Sequence, residues 1–253
     1  MEIGVTIGDS IDRLEATAAG FASVEFGLAE AADVPERIDE TRLKQACEDR
    51  DVILDVHLPF KQVVATAVPE INEGIVAHQR RLLSWAGELG ARKAVLHGTV
   101  RNPSDTSLRP TFATQLAEIV DVGRDAGVEV VVENVGHQKR GLPLTVLGDI
   151  ARDVDAPVCF DVGHAYMEDG NDGVERFLKR YDDCISHLHV HDVRGRGDTH
   201  LPLGAGEIDY DLLPEYLDSF AGTVAVEVFT DDVALLHDTA NRVAATFGED
   251  WSR

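Results

Sequence analysis

Residues 129–134 read EVVVEN: three consecutive valines, without the polar alternation of a half-exposed strand, closing on Glu133. Six other segments repeat that form. They are VEF at Glu25, DVHLP at His57, VLHG at His97, CFDVGH at Asp161 and His164, HLHVHD at His187, His189 and His191, and VAVEV at Glu227. Apolar runs that end on residues able to bind a metal or move a proton are the pattern of a parallel β/α barrel whose C-terminal rim carries the site.

Working outward, a strand followed by a helix recurs eight times, with no Pro/Ser-rich linker or low-complexity break between units. Strands are expected at 2–7, 23–26, 52–57, 93–97, 129–133, 158–161, 185–191 and 224–229. Helices are expected near 36–51, 71–89 and 110–126, and Asp9 or Ser10 is expected to cap the helix after the first strand. An open doubly wound sheet is the competing architecture. Eight near-equal units in 253 residues favour the closed form, and no GxGxxG or GxxxxGK[ST] follows the first strand. The expectation is a single α/β domain over residues 1–253, a (β/α)8 TIM barrel.

No apolar run approaches the roughly 20 residues of a membrane span, which points to a soluble, cytoplasmic protein. Forty-six Asp and Glu against 23 Lys and Arg give a formal charge of −23, and only five of the basic residues are Lys. Such self-repulsion is relieved when salt shortens the Debye length, so the acidity fits a halophilic, salt-rich cytoplasm. It also argues against nucleic acid, whose phosphates are bound through Lys and Arg. Cys47, Cys159 and Cys184 show no CxxC spacing and read as small hydrophobes. Nothing in the sequence marks a face for oligomer formation.

Any one of the strand-end residues has a structural explanation. Several carboxylates at the ends of apolar strands, however, would each cost several kcal/mol unless cations or strong donors neutralise them. Imidazole with carboxylate oxygen suits a divalent metal, and the absence of Cys removes the usual mark of a closed structural zinc site. Glu133, Asp161, His189 and Glu227 form the candidate cage. His187, His189 and His191 alternate with apolar residues and point to one side about 6.6 Å apart, so they cannot all reach one ion. His189 is best placed, His191 and Asp192 lie nearer the rim, and His187 reads as deeper and structural. In the long glycine-containing loop 192–210, Asp198 and His200 are ligand types at i, i+2, whereas Glu207 and Asp209 read as the start of the next helix. His78, His137 and His237 lie away from strand ends and are set aside.

The combination VVEN, FDVGH, HLHVHD, D-x-H-LPLG-x-G-x-ID and VEVF resembles the xylose isomerase-like TIM-barrel superfamily, over essentially the whole chain. That superfamily holds sugar and sugar-phosphate isomerases and epimerases, dehydratases of inosose and dehydroshikimate, and endonuclease IV of the AP endonuclease family 2. The resemblance implies one divalent ion (Mn, Mg, Co or Zn) on Glu133, Asp161, His189 and Glu227, with His164 at substrate. In endonuclease IV three zinc ions take additional ligands, matching His57, His97, His164, Asp198 and His200 here.

Two departures count against DNA repair. The loop after the second strand, FGLAEAADVPE, is acidic where that enzyme carries an Asn-Pro-Arg loop, and VGHQKRG replaces its glycine-rich turn after Glu-Asn. The leading expectation is therefore an isomerase or epimerase acting on a small, sugar-like substrate through a metal-stabilised enediolate, with Glu133 and Glu227 as catalytic base and acid. Arg194 or Arg196 would bind a distal phosphate or hydroxyl. The alternative is an endonuclease IV-like zinc phosphodiesterase, and a third reading is a dehydratase of a cyclic polyol or dehydroshikimate.

Overall fold

Strand and helix alternate along the chain in the order β1 (Glu2–Gly8), α1 (Ile11–Thr17), β2 (Ser23–Gly27), α2 (Glu40–Arg50), β3 (Ile53–His57), α3 (Pro69–Glu88), β4 (Lys93–His97) and α4 (Arg109–Asp125). They continue as β5 (Glu129–Glu133), α5 (Leu144–Asp153), β6 (Val158–Asp161), α6 (Val162–Tyr181), β7 (Ile185–Val190), α7 (Leu212–Tyr216), β8 (Thr223–Val226) and α8 (Val233–Thr246). The computed structural model describes residues 1–31, 33–136 and 139–251, so His137 lies outside the described residues. All eight strands are parallel and close in chain order, with β1 pairing both β2 and β8. This is a (β/α)8 barrel.

Because successive side chains of a strand point to opposite faces, each strand serves two cores. The outward residues Ala94, Leu96, Val130, Val132, Phe160, Leu188 and Val190 join the helices in one large apolar cluster. Val95, Val131 and Cys159 form a separate small cluster inside the barrel. His97, Glu133 and Asp161 each lie two residues beyond one of these, so the alternation turns them inward at the C-terminal ends. Register aligns the group further: His97 pairs with Glu133 across β4–β5, and Asp161 with His189 across β6–β7.

Local signals set most helix ends. Ser10 caps α1 by accepting from Arg13 N at 3.2 Å, and Pro69 opens α3, where its missing N–H has no partner to lose. The second helix starts at Glu40 rather than Glu36. Asp39 caps it, accepting from Arg42 N at 3.0 Å, and residues 33–37 form turns instead. The eighth strand stops at Val226, which leaves Glu227 just past the ladder. Glu207 and Asp209 do not begin a helix, because α7 starts at Leu212. Glu207 accepts instead from Tyr166 Oη and Gly195 N, fastening the loop. Among the described residues no helix is long and apolar enough to cross a membrane.

Candidate metal centre

Overlapping donor groups converge at the C-terminal end of the barrel; three of them together hold the nine candidates, while Glu133, Asp161 and His164 form a further group that crosses all three. His57, His97 and Glu133 form the first, Asp161, His189 and Glu227 the second, and His164, Asp198 and His200 the third, which also includes His191. In each group the candidate ligand atoms lie within 4.8 Å of one another.

Glu133 stands between the groups. Its Oε2 is 3.2 Å from His57 Nε2 and 3.1 Å from His97 Nε2, while its Oε1 is 3.2 Å from His164 Nδ1 and 3.7 Å from His189 Nδ1. Burial alone would raise this carboxyl, but the imidazoles of His97, His189 and His164 hold it well below the usual carboxylate range. The two imidazoles on Oε2 separate. Burial draws His97 below its ordinary value, whereas His57, against its own burial, is carried up to about 9 by the Glu133 hydrogen bond and by Glu25.

Asp161 ends β6 and caps α6, which follows without a loop. One carboxylate oxygen accepts from His164 N at 2.6 Å, a position the helix dipole favours for an anion. The capping offset of three residues is what puts His164 beside it. The second oxygen, Oδ2, lies 3.0 Å from His164 Nδ1 and 3.9 Å from His189 Nδ1. Asn134 fixes the level of this strand end by donating to Asp161 O at 2.8 Å and accepting from Asp161 N at 2.9 Å.

His189 presents Nδ1 to three carboxylates, 3.2 Å from Glu227 Oε2, 3.7 Å from Glu133 Oε1 and 3.9 Å from Asp161 Oδ2. Its Nε2 faces the barrel interior and donates to Glu25 at 3.0 Å. His187 lies beneath, with Nε2 donating to Glu25 at 3.3 Å and Nδ1 on the Thr223 hydroxyl at 2.6 Å, and is the deep structural residue expected from the strand period.

The loop 192–210 is folded back by Asp192. Its backbone pairs with Leu201, and its carboxylate accepts from Val193, Gly204, Gly206 and Ile208 N–H groups. That hairpin carries Asp198 and His200 over the centre, with Asp198 Oδ1 2.9 Å from His200 Nε2 and 3.4 Å from His164 Nε2. His200 adopts φ 43°, a left-handed conformation costing about 1–3 kcal/mol that is retained where surrounding structure over-determines it.

Buried polar atoms without a hydrogen-bond partner cluster here: Asp161 Oδ2, His189 Nδ1, Glu227 Oε2 and Asp198 Oδ1. Such atoms are rare because each forfeits its hydration, and here they are ligand types aimed at one another. The donor set fits divalent metal ions of the zinc class.

A family model described as "Xylose isomerase-like TIM barrel" matches residues 14–248. The chain belongs to that family. It is 29% identical over 201 residues to an uncharacterised Methanocaldococcus jannaschii protein, MJ1311, covering 73% of this chain and 68% of that one. It is 26% identical over 253 residues to a probable endonuclease 4 of Mycobacterium marinum, covering 92% of this chain and 96% of the relative. The crystal structure of a D-tagatose 3-epimerase-like protein superposes with a TM-score of 0.76 at 21% identity, covering 97% of both chains. That likeness is one of fold.

All nine residues carried over from the family motifs thus come together. Arg194 and Arg196 do not join them: Arg194 donates to Ala205 O at 2.6 Å and Arg196 to Glu168 O at 2.9 Å, both within the outer loop and helix. Two residues that sequence reasoning left out of the site belong to it. Glu25 is buried beneath His189, and Lys139 pairs with Asp198 while donating to His164 Nε2 at 3.2 Å. Glu25 carried a signal, since it ends a strand-like run. Lys139 sits in an irregular segment where no periodicity gives its direction.

Proposed function

We propose that this protein is a divalent-metal hydrolase that cleaves a phosphodiester with a cluster of up to three ions. The observation that carries the reading is Glu133, whose Oε2 faces His57 and His97 while its Oε1 faces His164 and His189. A carboxylate so divided is suited to bridge two ions. Bound there, zinc-class ions supply Lewis-acid stabilisation of charge on a phosphoryl oxygen and acidify water.

The protein's own part is to hold that arrangement rigid. Glu133, Asp161 and Glu227 all lie below the usual carboxylate range despite burial, held there by the surrounding imidazoles. Carboxylates kept ionised in this way are good ligands for a divalent ion. Lys139 offers an ammonium at the mouth of the third group, where it can pair with a phosphate oxygen. The endonuclease 4 relative agrees with this chemistry in its name.

One observation favours the isomerase or epimerase as a second reading. Glu133, Asp161 and Glu227 all approach His189 Nδ1, so the inner four residues form a site complete for one ion. In that reading Glu133 and Glu227 act as base and acid on either side of an enediolate.

Metal content and turnover separate the two. The hydrolase is expected to hold close to three ions per chain and to incise an abasic-site duplex, or cleave a chromogenic phosphate diester, in molar KCl, with Glu133→Gln abolishing the reaction. One ion per chain together with interconversion of ketohexose epimers would overturn it in favour of the second reading.

A further inference from the structure

His191 is placed like a ligand, yet the nine-residue set does not use it. Its side chain is fully buried, and among the described residues neither ring nitrogen has a hydrogen-bond partner. An imidazole always carries at least one N–H donor, and leaving it buried and unpaired costs about 1–3 kcal/mol. Asp161 Oδ1 lies 3.3 Å from Nε2 without making a hydrogen bond to it, and accepts from the backbone of His164 at 2.6 Å.

The position is built around the ring. His191 stacks on His200 with centroids 3.9 Å apart and planes 18° from parallel, and it meets His164 edge-on at 5.8 Å. Gly163 makes the space: a Cβ there would lie 2.1 Å from His191 Cε1. Tyr210 Oη donates to His191 O at 2.8 Å and fixes the backbone just where β7 ends. One nitrogen of the ring falls within 4.8 Å of ligand atoms on His164, Asp198 and His200.

We infer that His191 is a fourth ligand of the third group, which then holds a zinc-class ion by three imidazoles and one carboxylate. The inference rests on the multi-ion reading above. Four protein ligands fill a tetrahedral zinc site, the arrangement of ions that hold structure rather than exchange water. Such an ion ties the loop 192–210, through Asp198 and His200, to α6 through His164 and to the end of β7 through His191. Its work is to fix the lid of the centre, leaving the chemistry to the two inner groups.

The competing role for His191 is to orient Asp161, which serves the second group. Titration of the purified chain with Zn²⁺ against a chelator, with bound metal counted, tells them apart in His191→Asn and His191→Gln. Both variants can still donate toward Asp161. The third ion is expected to weaken by at least about 100-fold, since even partners outside the ligand shell cost 10- to 100-fold. The first two ions keep their affinities, and limited proteolysis within 193–199 becomes rapid in zinc. Two results would overturn the inference: variants that bind three ions as tightly as wild type, or variants that lose an inner ion and keep the outer one. A wild-type chain that takes up one ion instead refutes the multi-ion reading itself, and the two failures are therefore distinguishable.

Discussion

Glu25 Oε2 lies 3.0 Å from His189 Nε2 and orients this imidazole, one of five in the nine-residue set, so that its Nδ1 turns toward Glu227, Glu133 and Asp161. The other four histidines are oriented by main-chain carbonyls: His57 by Leu58, His97 by Phe60, His164 by Asn134 and His200 by Glu227. A buried carboxylate behind a ligand imidazole fixes its tautomer and raises its basicity. Glu25→Gln is therefore expected to weaken the inner ion by about 10- to 100-fold. Competition of Co²⁺ or Zn²⁺ against a chelator measures this, and wild-type affinity in the variant would leave the pair without that role.

Metal removal should destabilise the fold. The unpartnered oxygens and nitrogens of the centre are buried in the folded chain, so an ion that binds only that state adds to its stability. At free ion 1,000-fold above its Kd the gain is about 4 kcal/mol per ion. Calorimetry with and without EDTA is expected to show a clear fall in Tm on chelation, and an unchanged Tm would count against occupation of the centre.

Tyr181 gives the alkaline limb of stability a definite sign. Its hydroxyl donates to Thr145 O at 2.9 Å and Asp149 Oδ1 at 2.8 Å, and burial followed by Asp149 pushes the phenol up to about 12. The unfolded phenol titrates near about 10. The folded state holds its proton more tightly, so this contribution is complete below pH 10 and is lost as pH rises from 10 to 12. Unfolding followed by tyrosinate absorbance is expected to steepen across that window. In Tyr181→Phe the steepening should diminish, with about 1 kcal/mol lost at neutral pH.

Salt should act in the opposite direction to its effect on an ordinary surface. With a formal charge of −23, repulsion outweighs the exposed ion pairs, and screening relieves it. The unfolding midpoint is expected to rise from dilute buffer to molar KCl. A flat or falling midpoint would remove the salt-adapted reading of the composition.

The strands were legible because each is a short apolar run with a chemical stop. The expected bounds at 93–97, 129–133 and 158–161 coincide with β4, β5 and β6. Helix starts were less so, since the choice between Glu36 and Glu40 depends on a cap formed by Asp39 and on turns that have no apolar period. In the site, Glu133 and Asp161 were found because they close apolar runs, and His189 because the two-residue alternation ranks the three histidines of β7 by depth. Glu25 lies in the middle of β2, and its partners His187 and His189 lie more than 160 residues away, so nothing local reveals them. Lys139 and the hairpin tied by Asp192 belong to irregular backbone, where contacts and not periodicity decide position.

The use of main-chain carbonyls to orient four ligand imidazoles separates two properties that mutation usually couples. Replacing the side chain of Phe60 leaves the carbonyl that orients His97 in place. Phe60 is half exposed beside His97, and Phe229 is exposed and stacked 3.8 Å from His200, so both are open to exchange at the mouth of the barrel. Selectivity for what enters can thus be retuned at the rim while the orientation of these imidazoles stays constant, which makes this scaffold a practical starting point for redirecting the candidate centre toward new substrates.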